Sequence, residues 1–304
     1  MQLLDKQDWK RFFTKLYNKV METELFGKSA QIAFYFSFSM FPLLFFLVSL
    51  FGLILESTAG LQAELFSYLA QIMPQSAYQL VRDTLTEIVQ NSTGGKLTFG
   101  LLITLWSASA GVDSLRASLN AVYGQRETRW WWWAKLESLG LTLLFIFLIA
   151  VTLATVTAGR QLVELGFQGL GYEVTSPFIL VGIQWLAVIV VLLFVTAAVY
   201  SILPSFKTFK WVWISPGSIV AMLLWLLLTS GFRLYLNYFN SYNKTYGSLG
   251  AVIILMLWLF LNGVALLIGG AINAVLTEMS REDQEEGDIA AVTDEVGEHP
   301  LQTR

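Results

Sequence analysis

Asp113 and Arg116 are the first two charged residues after an uncharged stretch of the chain, residues 97–112. That stretch is too short to cross ~30 Å of hydrocarbon, because a helix rises about 1.5 Å per residue and needs roughly 20 apolar residues. Its helix must therefore carry Asp113 into or near a membrane. A spacing of three places the two charges on one helical face, where they can pair. Together with Asn120, the pair predicts a polar path; the alternative is an ion pair at a helix end.

A second set of candidate residues is aromatic and basic. It consists of Arg233, Tyr235, Tyr242 and Tyr246. On a continuing helix Tyr235, Tyr238, Tyr242 and Tyr246 share one face, beside Arg233, where a guanidinium can meet a phosphate and the rings can hold lipid. The alternative is an interfacial aromatic belt with Arg233 reaching outward. Asn262, in the middle of another uncharged stretch, is expected to bond a neighbouring helix or to line a polar cavity.

The elements that would position these residues are six uncharged runs. They cover residues 29–55, 97–112, 138–159, 174–206, 211–232 and 245–277. The chain is 55% hydrophobic and only 13% charged, whereas soluble domains are nearer 25% charged. The pattern predicts an all-α, polytopic membrane protein with six transmembrane helices.

The basic residues predict the orientation of these helices. They collect before the first run, between the second and third, and between the fourth and fifth, as in Lys15, Arg126 and Lys207. Cytoplasmic loops retain an excess of Lys and Arg, so both termini are expected in the cytoplasm. The net charge of −3 does not oppose this, because the acids collect in the C-terminal tail.

Three segments outside the spanning helices have their own character. Residues 1–28 predict an amphipathic helix that lies on the membrane and contacts anionic lipid. Residues 56–96 predict a periplasmic helical hairpin within the bundle of residues 29–277, and residues 61–90 of it are a candidate contact for a periplasmic envelope protein. Residues 278–304 are acidic and predict a disordered cytoplasmic tail. The tryptophans at 130–133 are typical of an aromatic belt at a membrane interface.

The composition also excludes several kinds of chemistry. The chain has no cysteine, and its one histidine is His299 in the tail, so thiolate and histidine-based metal sites are not expected. No GxxxxGK[ST], HExxH or GxSxG motif is present. We therefore expect no catalytic residue, no metal, no cofactor and no ATPase of its own.

Several ordered pieces of the chain resemble the YihY/BrkB membrane protein family, once labelled ribonuclease BN. The pieces are AFYFSFSMFP at 33–42, LWSAS at 105–109, LNAVYG at 119–124, LP at 203–204, SPG at 215–217, the stretch from 232 to YGSLG at 246–250, and GGAIN at 269–273. Together they lie within residues 25–278.

The resemblance implies a bacterial inner-membrane protein with six helices and a role in envelope maintenance. Lipid handling has been suggested for the family, so we expect movement of lipid or another amphiphile across or out of the membrane. A non-transporting scaffold for an envelope machine is the alternative. The nuclease label conflicts with the single histidine, and neither an enzyme nor a nucleic-acid partner is expected. The sequence leaves the oligomeric state open.

Overall fold

All regular structure in the described part of the chain is α-helical. The computed structural model describes residues 6–55, 94–169, 177–208, 211–238 and 248–297. Its helices are α1 (Lys6–Glu22), α2 (Leu25–Leu55), α3 (Gly94–Ala108), α4 (Ala110–Val122), α5 (Trp131–Gly169), α6 (Pro177–Ile202), α7 (Pro216–Tyr238) and α8 (Ser248–Gly297). The all-α prediction is confirmed for these ranges.

Three helical segments in these ranges are long and apolar enough to cross a membrane. They are Trp131–Ile149, Pro216–Tyr235 and Val252–Ile289, and Val188–Ile202 is a shorter apolar segment. Of the 18 most apolar consecutive residues in each segment, only 33%, 17% and 28%, respectively, are buried inside the protein. Such extensive outward-facing apolar surface is stable in lipid and not in water. The chain is therefore a membrane protein.

The second uncharged run forms two helices separated by a single residue. The N–H of Ser109 donates to the Leu105 carbonyl at 3.0 Å, and the N–H of Asp113 donates to the Ser109 carbonyl at 3.0 Å. Helical hydrogen bonding thus continues across the break. The predicted helix does carry Asp113 and Arg116, which lie on α4.

Gly124 ends α4 in a left-handed conformation with φ of 64°. Its N–H donates to the Ala121 carbonyl at 3.1 Å, and the N–H of Gln125 donates to the Asn120 carbonyl at 2.8 Å. These two bonds form a Schellman motif, which satisfies carbonyls that the helix end leaves free. The turn directs residues 125–130 back towards the start of α5.

The start of α7 is fixed by a reciprocal serine cap and by an asparagine from α8. The N–H of Ser218 donates to Ser215 Oγ at 3.0 Å, and the N–H of Ser215 donates to Ser218 Oγ at 2.9 Å. Pro216 occupies the first helical position, where its missing N–H costs nothing. Asn273 accepts from the Gly217 N–H at 2.8 Å and donates to Ser215 Oγ at 2.9 Å, so α8 holds the first turn of α7.

The buried core lies where α2, α4, α6 and α8 meet. Leu119, Leu203, Leu267 and Ala271 are among its fully buried side chains. Small residues let the backbones approach: an added Cβ on Gly217 would lie 2.0 Å from the Gly269 carbonyl oxygen. Close backbone contact at small residues is how membrane helices gain packing energy without a hydrophobic driving force.

The structure differs from two predictions at the ends of the chain. The first helix is α1, which ends at Glu22, and Glu24 with φ of 50° connects it to α2. The acidic segment expected to be disordered from residue 278 is helical as far as Gly297. Its first acids, Glu278, Glu282 and Asp283, pair with cations of α1, as described below. Two further stretches lie outside the described residues: 56–93, which is most of the predicted hairpin, and 239–247.

We predict that Gly217→Ala prevents correct packing of α7 on α8. The new methyl group would meet the Gly269 carbonyl oxygen and the Asn273 side chain, which lies 2.6 Å from the added Cβ. Overpacking typically costs about 1–3 kcal/mol or more, so we expect a clearly lower midpoint of thermal unfolding in detergent.

Gly231→Ala is the matched control on the same helix. An added Cβ at Gly231 meets nothing within 4 Å, so this change should leave stability unchanged or raise it by up to roughly 1 kcal/mol. Equal thermal midpoints for the two variants would contradict the close crossing.

Candidate functional site

Asp113 pairs with two cations, one on its own helix α4 and one on α5. Arg116, one turn later on α4, has its Nη2 3.2 Å from Asp113 Oδ1. Lys135, on the first turns of α5, has its Nζ 2.6 Å from Asp113 Oδ2. Asp113 Oδ1 accepts no well-aligned hydrogen bond, so its contact with Arg116 is an ion contact and Lys135 is the closer partner. The predicted pair exists, but it is part of a larger group.

Lys135 is the most buried charge of this group, with 8% of its side chain exposed. Its ammonium also donates to the Trp106 carbonyl at 3.3 Å and lies 4.6 Å from the centroid of the Trp106 ring. A desolvated ammonium requires a counter-ion and hydrogen-bond acceptors, and an aromatic face adds attraction. The three contacts together explain how a lysine is tolerated at this depth.

Arg116 connects Asp113 to the loop between α4 and α5. Its guanidinium donates to Ser138 Oγ at 3.1 Å and to the Ala134 carbonyl, and its Nε lies 3.6 Å from Glu127 Oε2. A planar guanidinium can make several directed bonds at once, which suits a residue that joins two helices and a loop.

Arg129 extends the group to the end of α6. It pairs with Glu127 at 2.9 Å and with Glu137, and it donates to the carbonyls of Ile202 at 3.1 Å and Leu203 at 2.7 Å. A cation at the C-terminus of a helix is favoured because free carbonyls concentrate negative charge there. We call the six residues Asp113, Arg116, Glu127, Arg129, Lys135 and Glu137 the charge network; it holds three acids and three cations.

Glu127 stays ionised within the charge network. Burial alone would raise its pKa, but hydrogen bonds from Arg129 and the charges of Arg129 and Arg116 lower the pKa below its ordinary value. A carboxyl whose pKa is lowered by folding stabilises the fold above its ordinary pKa, and the contribution is lost as the pH falls through the lowered value. The contacts of Glu127 with Arg129 and Arg116 are therefore ion pairs at neutral pH.

Asn120 has a structural role beside the charge network. Its Oδ1 accepts from the Ser205 N–H at 2.7 Å, and its Nδ2 donates to Glu127 Oε2 at 3.1 Å. The side chain is buried, and these bonds join α4 to the segments that follow α6 and α4. The prediction that Asn120 lines a path is not tested by these contacts.

A group of indoles lies against the charge network. The ring of Trp106 is 5.6 Å from that of Trp131 and 6.0 Å from that of Trp132, and all four tryptophans at 130–133 are exposed. Indoles prefer the interface between hydrocarbon and water. Lys135 follows them within two turns, so it and Asp113 lie at the level of this group and not in the middle of a long apolar span.

The other predicted site residues lie apart from the charge network. Arg233 is exposed, roughly 25 Å along α7 from Pro216 by helical rise. Tyr235 is partly buried on the same helix, and its ring stacks on Phe232 at 6.3 Å. Asn262 donates to the Trp258 carbonyl of its own helix at 2.6 Å, which differs from the expected bond to a neighbouring helix. Tyr242 and Tyr246 lie outside the described residues.

The sequence prediction missed Lys135 as a partner of Asp113. It also missed the other members of the charge network, which are Glu127, Arg129 and Glu137. The signal that could have found them is a cluster of alternating charges on both sides of the tryptophans, where a membrane helix begins. It also missed Asn273, whose importance follows from its bonds to the start of α7. In the described ranges no group of three or more His, Asp or Glu side chains could hold a metal ion.

We predict that Asp113→Asn destabilises the protein because it leaves the buried ammonium of Lys135 without its counter-ion. The expected loss is about 2 kcal/mol, below the ~3–5 kcal/mol of a fully buried pair, because 27% of the Asp113 side chain is exposed. Thermal unfolding in detergent measures the change.

The double change Asp113→Asn with Lys135→Met should restore most of the stability, since Arg116 keeps Glu127 as its partner. Arg126→Gln is the control, because Arg126 is an exposed cation of the same loop. If Asp113→Asn unfolds at the same temperature as Arg126→Gln, the contact with Lys135 contributes nothing to stability.

Comparison with known proteins identifies the family. The family model described as "Virulence factor BrkB" matches residues 16–293. The chain is also 32% identical over 265 residues to the ribonuclease-like protein YfkH of Bacillus subtilis (strain 168), a match that covers 87% of this chain and 94% of that relative. No solved structure matches the chain. The resemblance seen in the sequence is thus confirmed, and the protein belongs to the virulence factor BrkB family.

Proposed function

We propose that the protein crosses the bacterial cytoplasmic (inner) membrane six times, with both termini in the cytoplasm. Two observations support this topology. Lys and Arg collect on the segments that it places in the cytoplasm. In addition, α1 pairs with the C-terminal part of α8, as in Arg11 with Asp283 at 3.0 Å. This pairing supports a topology in which α1 and the C-terminal part of α8 lie on one side of the membrane, with an even number of crossings between them.

The proposed function is movement of lipid or another amphiphile across or out of the membrane, without an ATPase in the chain. The charge network beside the exposed indoles carries this proposal. Arg116 and Lys135 are the kinds of cation that bind phosphate, and both are held by Asp113, which remains 27% exposed. A lipid phosphate that reaches Asp113 can replace its carboxylate without leaving either cation unpaired.

Arg233 would mark the other end of the same path. It is exposed near the end of α7, two residues before Tyr235, and the proposed topology places it in the outer leaflet. Tyr242, Tyr246 and Asn262 remain predicted members of the path. An arginine can receive a phosphate at this level, and tyrosines suit an interface between acyl chains and water.

A membrane scaffold is the second candidate function. The balance of three acids and three cations favours it, because a charge network whose members already neutralise one another needs no ligand. The bonds of Asn120 to Ser205 and Glu127 likewise suit a static joint. A scaffold would use residues 61–90 to hold a periplasmic partner; those residues lie outside the described ranges.

We further propose that the chain is not an enzyme and takes no cofactor. The name of YfkH includes a likeness to ribonucleases, but the carboxylates of the charge network here are each engaged by a cation, which opposes a role as a general base. The chain supplies one histidine and no cysteine for nucleophilic or metal chemistry.

A lipid-transfer assay tests the transport proposal. Purified protein is placed in vesicles with labelled phospholipid in one leaflet, and exchange between leaflets is measured with and without an ion gradient. We expect exchange with the native protein and severalfold slower exchange with the stable double variant Asp113→Asn/Lys135→Met, because the phosphate loses Lys135, one of its two cations.

Arg233→Gln should also slow exchange, whereas Arg233→Lys should slow it less and Arg126→Gln should not slow it. If no variant differs from the native protein, or if the native protein moves no lipid under any gradient, the transport proposal fails. Reproducible crosslinking of residues 61–90 to one periplasmic protein would then favour the scaffold.

Single-cysteine labelling tests the orientation without background, since the chain has no native cysteine. A cysteine at Gln90 should react with an impermeant reagent from the periplasmic side, and one at Arg126 should react only after the inner membrane is permeabilised. The reverse pattern would show that the chain is inserted with its termini outside.

A further inference from the structure

Three stripes of residues run along α1, and each faces a different environment. The first stripe is cationic and faces α8. Its ion pairs include Arg11 with Asp283 at 3.0 Å and Lys19 with Glu278 at 3.0 Å. The members of the two facing stripes are Arg11, Lys15 and Lys19 on α1, and Glu278, Glu282 and Asp283 on α8. Spacing near four on both helices keeps the two stripes in register.

The second stripe of α1 is apolar and belongs to the core. Phe12 is buried against Ile272, Val275 and Met279 of α8, with Leu16 beside it. This packing fixes the rotation of α1 about its own axis. The direction of the remaining side chains is therefore determined by their positions on the helix.

The third stripe is aromatic and exposed. Trp9, Phe13, Tyr17 and Met21 are four residues apart, and between 47% and 63% of their surface is accessible. Four residues advance a helix by slightly more than one turn, so these side chains form one continuous strip. The strip lies on the side of the buried stripe opposite to the cationic stripe.

The aromatic strip continues towards the lipid-facing surface of α2. After the turn at Glu24, Phe26, Phe34 and Phe38 of α2 are also exposed, and α2 is uncharged from Ser29 to its end. An exposed apolar strip of this length is unfavourable in water. Its connection to a membrane helix places lipid, and not water, next to it.

We propose that the strip Trp9–Phe13–Tyr17–Met21 inserts into the headgroup and acyl boundary of the cytoplasmic leaflet, and that apolar contact holds it there without a requirement for anionic lipid. The sequence pattern predicts anionic lipid as the partner of this helix. The structure pairs three cations of α1, Arg11, Lys15 and Lys19, with acids of α8, so these three are not free to attract the surface charge of the membrane. Lys10, which is exposed, keeps its attraction to that charge.

Spin labels on single cysteines in the full-length protein test this proposal. The labels are placed at Phe13 on the strip and at Asn18, an exposed residue on the far side of α1, and the protein is reconstituted into vesicles of phosphatidylcholine alone or with phosphatidylglycerol. We expect the Phe13 label to be severalfold less accessible than the Asn18 label to a water-soluble relaxation agent, to the same extent in both lipids.

Two results would overturn the proposal. A Phe13 label as accessible as the Asn18 label in both lipids would mean that the strip is open to water or to a protein partner. A Phe13 label protected only in the presence of phosphatidylglycerol would mean that charge, and not apolar contact, holds α1 on the membrane.

A variant with the acidic stripe neutralised provides the second measurement. Glu278→Gln, Glu282→Gln and Asp283→Asn together release the three cations of α1. In this variant, phosphatidylglycerol should increase protection of the Phe13 label, and high salt should reverse the increase. If the variant responds to phosphatidylglycerol no more than the native protein does, the acids of α8 are not what makes the native helix independent of lipid charge.

Discussion

The ammonium of Lys135 is a charge that the fold has removed from water, and the surrounding structure depends on how that charge is compensated. Only 8% of its side chain is exposed, and Asp113 lies 2.6 Å away. An uncompensated charge in such a place is strongly unfavourable. Because Asp113 is on α4 and Lys135 on α5, satisfying the charge fixes the position of the two helices relative to each other. Arg116 and Arg129 then extend the same constraint to the loop before α5 and to the end of α6.

A second constraint acts between α7 and α8 and has a different physical origin. Where α7 crosses α8, the backbones at Gly217 and Gly269 approach so closely that no side chain fits between them. Asn273 satisfies the Gly217 N–H that the start of a helix leaves free. Here geometry and backbone hydrogen bonding determine the packing, whereas charge determines it around Lys135. A path for a lipid headgroup would therefore open more readily at the charge network, where ion pairs can exchange partners, than at a close-packed crossing.

The sequence predicts the features that depend on local spacing. Asp113 and Arg116 are three apart on a helix, and that spacing alone brings them together. The closer partner, Lys135, is 22 residues away, and its contact depends on how α4 crosses α5, which no local pattern specifies. The ion pairs of the C-terminal segment are also contacts between residues that are distant in sequence. Its charge predicts disorder when it is considered alone, but Glu278 and Glu282 find cations of α1 at matching spacing. The helical class and the family follow from composition and ordered motifs, while long-range ion pairs require the fold.

The pairing of α1 with α8 also reconciles two roles of the basic N-terminal residues in the proposed topology. Orientation is governed by Lys and Arg near the first membrane helices while the chain inserts. The acids that neutralise them lie about 260 residues later, as in the separation of 259 residues between Lys19 and Glu278, and an N-terminal segment folds before distant partners are made. Arg11, Lys15 and Lys19 are therefore unpaired when they determine orientation and paired once α8 is complete. The same residues can direct insertion by charge and later leave α1 to contact the membrane through its aromatic strip.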